Sequence, residues 1–342
     1  MLFRSVVDLA DGGVLAMATV ERAGTRAGVA GPIARNAPLT DLYEPGSTMK
    51  VVTISWALER GVVAPDTTFT VPDSYRVPGA DEPYKDAEYH DTARWTTSDI
   101  LRESSNVGTI QIAQRLTDAQ VGSAQRAFGL GRRTSIEWPG QSDGLLVDPK
   151  DYYATGRYSA AIGYGAAVSA AQMLGVFATV ANGGVSRPLH LLGATVDADG
   201  RRHDVRPAAG TRVISAATAA TMTGMLRRVV GNGTGACAAV PGYTVAGKTG
   251  TAKKLVGREY GSAKMVSFIG FAPAERPRYA AVVVVDSPAD SNLTGGVVAA
   301  PVWSEIMGFV LTRSGLAPSD PHRFQFESAQ RRSEEHTSEL QS

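Results

Sequence analysis

This sequence predicts an α+β fold, one mostly antiparallel sheet carrying a helical insert. Three observations point there. Strand-type alternation opens the chain, at Ser5 to Leu9 and Val14 to Val20. Three strand-type runs lie near its other end: Thr244 to Ala252, Met265 to Ala272 and Arg278 to Asp286. Between the two sets the patterns are helical. Strands at both ends with helices between them build one sheet from both termini and set the helices apart, here as an insert of about 97–239.

The elements follow in order. Asp11-Gly12-Gly13 is a hairpin turn signal between the first two strands. Ala23 to Leu39 is rich in Gly and Pro and reads as a loop. Ser47 to Arg60 reads as a helix stopped by Gly61. Its apolar positions Val51, Ile54, Trp56, Ala57 and Leu58 suit a buried helix. Asp66 to Trp95, broken by Pro72, Pro78 and Pro83, reads as loops and short strands. A helix starts near Thr97, with Thr97 or Ser98 as its cap, and leads to Ser104. Further helices are expected at Asp118 to Phe128, Ala170 to Ala181 and Ala216 to Val230, the last ending at Gly231. Val302 to Thr312 reads as a closing helix.

Composition narrows the function. The 342 residues could hold one large domain or two. With 43% apolar and 20% charged residues, the chain has a globular composition. A net charge of +1 argues for neither nucleic acid nor an anionic membrane surface. Cys237 is alone, so no intrachain disulfide can form; a small core or loop residue is its plain role. His90, His190, His203, His322 and His336 are scattered without metal-ligand spacing. No apolar run reaches membrane-span length; Tyr279 to Val285 is strand-sized. The N-terminus does not read as a signal peptide.

Three short motifs occur once each and in one order: Ser47-Thr48-Met49-Lys50, Ser104-Ser105-Asn106 and Lys248-Thr249-Gly250-Thr251. With seven lysines, a chance S-x-x-K is expected about half a time, so that motif alone says little. Each motif also has a plainer reading when isolated. Ser47 could be a helix N-cap, Ser104 and Asn106 turn residues, and Lys248-Thr249 an exposed strand end. The ordered trio is far rarer than any of its parts.

That trio is the signature of penicillin-binding proteins and serine β-lactamases. Its surroundings are similar to class B penicillin-binding proteins, the peptidoglycan transpeptidases of septum or side wall. Tyr43-Glu44-Pro45-Gly46 runs into Ser47, Val107-Gly108 follows Asn106, and Val245-Ala246-Gly247 leads into Lys248. DLADGGVLAM from Asp8, GLGRRTSIEWPGQSDG from Gly129, AIGYGAAVS from Ala161 and ANGG from Ala181 fall in the family's order. So do Gly233-Thr234-Gly235 and SFIGFAP from Ser267. The resemblance spans roughly Val6 to Gly315. It implies a five-stranded, mainly antiparallel sheet covered by helices, with an all-helical subdomain, the β-lactamase/transpeptidase-like fold, over residues 1–315. Residues 316–331 would be a tail. Class B enzymes carry a membrane anchor and a pedestal before the catalytic domain, so Met1 reads as the edge of a fragment. Arg332 to Ser342 (RSEEHTSELQS), back-translated, resembles a sequencing-adapter read; a polar disordered tail is the plainer alternative.

Acyl transfer to serine requires the hydroxyl to lose its proton, because free serine is a weak nucleophile. Ser47 and Lys50, three apart on a helix, share a face. Pro45-Gly46 sets Ser47 in the first turn, where unpaired amides favour developing negative charge. A desolvated Lys50 would have a lowered pKa and could accept the Ser47 proton.

The resemblance assigns the remaining roles. Ser104 would relay a proton to the leaving amine, with Lys50 and Lys248 nearby. Asn106 would bond the substrate's backbone amide. Lys248, Thr249, Gly250 and Thr251 on an edge strand would clamp the terminal carboxylate and lay the peptide alongside. Gly247 and Gly250 would leave room for substrate at the backbone. The amides of Ser47 and Thr251 would form the oxyanion hole. Gly163-Tyr164-Gly165 departs from the family, where the middle residue is often Gln; a tolerated loop change is the plainer reading, altered substrate preference the other. Arg35-Asn36 matches a supporting position.

The implied activity is a penicillin-sensitive D,D-transpeptidase working through a Ser47 acyl-enzyme. Peptidoglycan stem peptides and β-lactam antibiotics would be its ligands. A membrane glycosyltransferase and divisome or elongasome proteins would be its partners. No cofactor, metal or nucleic acid is implied, and the site would face outward from the bacterial cell membrane. The rivals are a serine β-lactamase, a D,D-carboxypeptidase, and a β-lactam sensor or divisome scaffold. Glu137, 31 residues after Asn106, has a tempting spacing for a β-lactamase deacylation base. No Leu-Asn follows it and it lies in the IEWPG segment, so it reads as structural.

Overall fold

A computed structural model describes residues 1–21, 31–32, 35–205, 208–257, 259–290 and 292–320. The loop expected over 23–39 lies largely outside these residues, as do most of the 316–331 tail and all of 332–342. The described end of that loop is a helical turn, Ala37–Thr40, with Pro38 near its start.

Five long strands form the sheet: β1 (Leu2–Asp8), β2 (Val14–Glu21), β3 (Ala246–Val256), β4 (Glu259–Ala272) and β5 (Tyr279–Asp286). Their order is β3-β4-β5-β1-β2, antiparallel throughout, and Gly31–Pro32 pairs two residues beyond β2. The N-terminal hairpin therefore docks on the last strand, with Ser5 opposite Val282. As the centre of the sheet, β5 is covered on both faces, which is why it reads as an unbroken apolar run. Its alternation sorts the core. Ala280, Val282 and Val284 pack towards the helical lobe, while Ala281 and Val283 pack with Trp303 on the opposite face.

Seven helices matter for the site: α1 (Lys50–Glu59), α2 (Thr97–Glu103), α3 (Asn106–Ala113), α4 (Asp118–Ala127), α5 (Ala170–Ala181), α6 (Ala216–Asn232) and α7 (Gly295–Arg313). Helix α1 is buried from Lys50 to Ala57, as its apolar content predicts. Helices α5 and α6 cover one sheet face and α7 the other. Among the described residues, α7 is long and apolar enough to cross a membrane. One of its faces (Ala299, Ala300, Trp303, Met307 and Leu311) is packed against the sheet. The Trp303 indole donates to the Ala281 carbonyl at 2.9 Å and meets Phe268 edge-on. Among the described residues the chain also carries five two-stranded ribbons, one pairing Thr68–Val71 with Ala93–Thr96.

Several boundaries differ from expectation: β3 runs on to Val256, not Ala252, and β4 begins at Glu259, not Met265. The cap of α2 is Thr96, not Thr97 or Ser98; it forms a reciprocal capping box with Asp99. Helix α6 continues through Gly231 to Asn232. Helix α7 begins at Gly295, not Val302, with Pro301 inside it. Packing supports this early turn: a Cβ on Gly295 would lie 2.3 Å from the Ser267 carbonyl and 2.5 Å from that of Gly250.

Candidate active site

The nucleophile candidate sits in a turn held from two sides. Gly46–Met49 forms a 3-10 turn that runs directly into α1. Gly46 has φ +51° and donates its N–H to the Gly163 carbonyl at 3.1 Å. A Cβ on Gly46 would come within 2.8 Å of the Thr251 carbonyl, and one on Gly163 within 2.1 Å of the Gly46 carbonyl. Backbone meets backbone here, so side chains are excluded. Ser47, half-buried, lies in this turn, which packs against β3.

One turn on, Lys50 is fully buried. Its Nζ donates to Asn106 Oδ1 at 2.7 Å and to the backbone carbonyl of Ser104, with Ser104 Oγ at 3.5 Å. The chain enables this through a left-handed Ser104, φ 61°, which turns sharply between α2 and α3. Ser105 then caps α3 by accepting the Gly108 N–H at 2.8 Å. Burial pushes the Lys50 amine down to about 7, with the Asp86 charge pulling the other way.

Lys248 is also fully buried. Its Nζ reaches the Thr249 carbonyl and hydroxyl at 3.3 Å each. Burial, and secondarily the Lys50 charge, holds it well below the usual lysine range. The Thr249 hydroxyl shares a 2.9 Å bond with Thr234, and the Thr251 hydroxyl accepts the Gly295 N–H at 3.2 Å. The first turn of α7 thus braces the outer strand. This strand is the open edge of the sheet, as expected.

Gly247 and Gly250 make room for the protein's own atoms. A Cβ on Gly247 would strike the Phe268 ring at 2.4 Å. One on Gly250 would strike Ser267 Oγ at 2.4 Å and Thr48 Cγ2 at 3.0 Å. Gly250 is therefore what lets the nucleophile turn seat on β3.

Sequence reasoning missed Asp86. Its carboxylate accepts the N–H of Asn106 at 2.5 Å and of Val107 at 3.0 Å, and the Ser105 hydroxyl at 2.6 Å. An anion at the start of α3 is favourably placed, and it fixes the Ser105-Asn106 pair. Asn106 Nδ2 is tied to the Lys85 carbonyl at 2.9 Å. Nothing local marks Asp86 in a polar loop, because its partners are about twenty residues away. Thr234 was legible only as part of a Gly-Thr-Gly segment.

At the rim, Glu44 Oε1 accepts from the Gly165 N–H at 2.7 Å and the Tyr260 hydroxyl at 3.1 Å, and Tyr164 meets Tyr260 edge-on. The Gly163-Tyr164-Gly165 loop is thereby stitched to the segment before the nucleophile. Arg35 pairs with Asp41 at 2.9 Å. Glu137 accepts the Leu191 N–H at 2.8 Å, a structural contact. Cys237 is exposed on a short turn, Ala236–Ala238. Among the described residues, no group of His, Cys, Asp or Glu is arranged to hold a metal.

Comparisons with known proteins agree with this geometry. The family described as the penicillin-binding protein transpeptidase domain matches residues 3–308. Penicillin-binding protein PbpB of Mycolicibacterium smegmatis is 38% identical over 301 residues, covering 84% of this chain and 46% of that protein. Peptidoglycan D,D-transpeptidase FtsI of Escherichia coli is 35% identical over 321 residues, covering 92% and 51%. Among solved structures, penicillin-binding protein 3 of Mycobacterium tuberculosis, complexed with aztreonam, gives a TM-score of 0.84 at 34% identity, over 94% of this chain and 74% of that one. The transpeptidase domain of Burkholderia pseudomallei penicillin-binding protein 3 gives 0.80 at 32%, over 94% and 90%. The chain spans about half the length of the curated relatives it matches.

Proposed function

The chain belongs to the penicillin-binding protein transpeptidase family, and from that premise we propose that it is a peptidoglycan D,D-transpeptidase acylated at Ser47. The observation that carries the reading is a buried amine able to be neutral near pH 7, one helical turn from a serine and bonded to the Ser104–Asn106 loop. Neutral Lys50 takes the Ser47 proton as the serine oxygen attacks the penultimate D-Ala carbonyl. The amides of Ser47 and Thr251 hold the oxyanion. Ser104 passes a proton to the leaving amine, and D-Ala departs. An amine of a neighbouring stem peptide then takes the acyl group and frees Ser47.

Lys248, Thr249 and Thr251 hold the terminal carboxylate while the peptide lies along the open edge of β3. Asn106 bonds the peptide amide, and Gly250 seats the nucleophile turn against that edge. β-Lactams occupy the same place as mimics of the D-Ala-D-Ala end. The whole protein, on this reading, works at the outer face of the bacterial membrane beside a glycosyltransferase and divisome or elongasome partners. Engagement of Glu137 by the Leu191 amide supports a structural role for the one residue whose spacing suggested a β-lactamase.

The test is intact mass over time with benzylpenicillin, for this chain and for Ser47→Ala. A one-to-one adduct that lasts for hours and is absent from the variant is the expected result. An adduct cleared within minutes would mean a β-lactamase. No adduct on folded protein would overturn the nucleophile assignment. Release of D-Ala from a pentapeptide, with and without an amine acceptor, separates transpeptidase, carboxypeptidase and silent sensor.

A further inference from the structure

His90 lies outside the three motifs, yet a single carboxylate joins it to them. Its Nε2 is 3.0 Å from Asp86 Oδ2, the same oxygen that accepts from Ser105. Its Nδ1 is 2.8 Å from the Asp91 carbonyl. Both ring nitrogens thus face oxygens that can only accept. A neutral imidazole has one donor and would turn a lone pair on one of them; only the imidazolium satisfies both. Trp95, on the strand Ala93–Thr96, holds the ring, with centroids 4.4 Å apart and a 37° tilt. The pair is well covered, with side chains 17% and 6% exposed for His90 and Asp86.

Burial disfavours the imidazolium, but the bond to the Asp91 carbonyl, the bond to and charge of Asp86, and more weakly the charge of Asp73 together hold the ring above the ordinary histidine value. Trp95 is neutral. From α1, Lys50 faces the same Asp86 and is drawn by its charge towards the protonated state.

We propose that His90 is a positioning residue for acylation: its imidazolium clamps Asp86, steadies Ser105 and Asn106, and shields Lys50 from the carboxylate. The sign follows from charge. With His90 protonated, Lys50 feels a weaker negative field and releases its proton at lower pH. With the ring removed, Asp86 acts on Lys50 unopposed, and the lysine holds its proton to higher pH. The inference rests on the acylation chemistry proposed above.

The experiment measures the rate of Ser47 acylation by a fluorescent penicillin from pH 5.5 to 9. It compares the 342-residue chain with His90→Gln and His90→Ala, each checked by thermal melt. The rising limb should move up by roughly half a pH unit in both variants, the influence of one charge in a partly solvated site. Near pH 7 that is about a twofold loss of rate. At pH 9 His90→Gln, which keeps a donor towards Asp86, should match the parent, while His90→Ala stays slower. Unmoved midpoints in folded variants would overturn the proposal, leaving His90 a packing residue. A parent that never acylates would overturn the transpeptidase reading itself, a different failure. A second readout is independent of activity. The His90 ring, followed by NMR in Ser47→Ala, should titrate above ordinary histidine and drop in Ser47→Ala/Asp86→Asn. A ring titrating at or below the ordinary value would sink the idea.

Discussion

Two lysine amines are fully buried; burial lowers both, and the Lys50 charge lowers Lys248 further. Lys50 titrates at about 7, so acylation should rise with pH through that value and then level off, read as the second-order rate with a penicillin. The same burial has a stability consequence. Between about 7 and the ordinary lysine value of 10.5 the unfolded chain keeps the Lys50 proton while the folded chain sheds it. The unfolded state binds more protons there, so this group makes stability climb as pH rises across that window. Lys50→Met has no such group; its melting temperature relative to the parent should be higher at pH 7 than at pH 10, while acylation is lost. Equal differences at both values would mean Lys50 is not titrating in the fold. Lys248 gives a binding prediction. A substrate carboxylate restores its charge, so a peptide ending in D-Ala-D-Ala should bind Ser47→Ala with proton uptake. Affinity should then fall by up to tenfold per pH unit above the free Lys248 value, and calorimetry in buffers of different ionisation enthalpy reads it directly. At this scale the sequence was eloquent where chemistry sits in a motif and silent where it depends on approach. Ser47, Lys50, Asn106 and Lys248 come with local spacing. Asp86 acts through a fold of the chain that no spacing records, and His90, four residues on, acts through Asp86.

Elements are where small errors of reading have physical reasons. The cap of α2 is Thr96, ahead of the expected Thr97 or Ser98, in a row of three residues able to cap. Only Thr96 has Asp99 at the third helical position to return the bond. The start of α7 was missed because Pro301 looks like a stop. The turn before it is held by tertiary contact, with Gly295 lying on the carbonyls of Gly250 and Ser267. The nucleophile turn is the element whose exact seat function needs most. Gly163→Ala would drive a Cβ to 2.1 Å from the Gly46 carbonyl, at a position with φ +91°. The loop must retreat, and the turn bearing Ser47 loses its 3.1 Å bond to Gly163. Acylation should fall at least tenfold, for a stability loss of about 1–3 kcal/mol. A folded Gly163→Ala chain acylating at the parent rate would show that this seat does not set the chemistry.

Whole-molecule architecture explains why so compact a site can be built from residues 47 to 251. The N-terminal strand inserts between β5 and β2, so the sheet is complete only when both ends of the chain have met. Strand signals at both termini announced that closure, but not the order that leaves β3 at the open edge; register is set by which faces bury, a tertiary matter. The order divides labour between the two faces. Towards the helical lobe, α5 and α6 pack on the sheet and the turn before α1 seats on β3. On the opposite face, α7 seals the core through Trp303, fully buried against Phe268. Removing that side chain should therefore separate stability from chemistry. Trp303→Ala leaves a cavity and removes the indole's bond to the Ala281 carbonyl, at a cost of about 3–5 kcal/mol by denaturant unfolding. Its effect on Ser47 is indirect, since the first turn of α7, which braces Thr251, lies two turns away from the cavity. The acylation rate per folded molecule should stay within about twofold of the parent, less than one kcal/mol at the barrier. Gly163→Ala should show the reverse pattern. If Trp303→Ala instead slows acylation as much as Gly163→Ala, the two faces are coupled through the β3 edge, and α7 belongs to the active site as much as to the core.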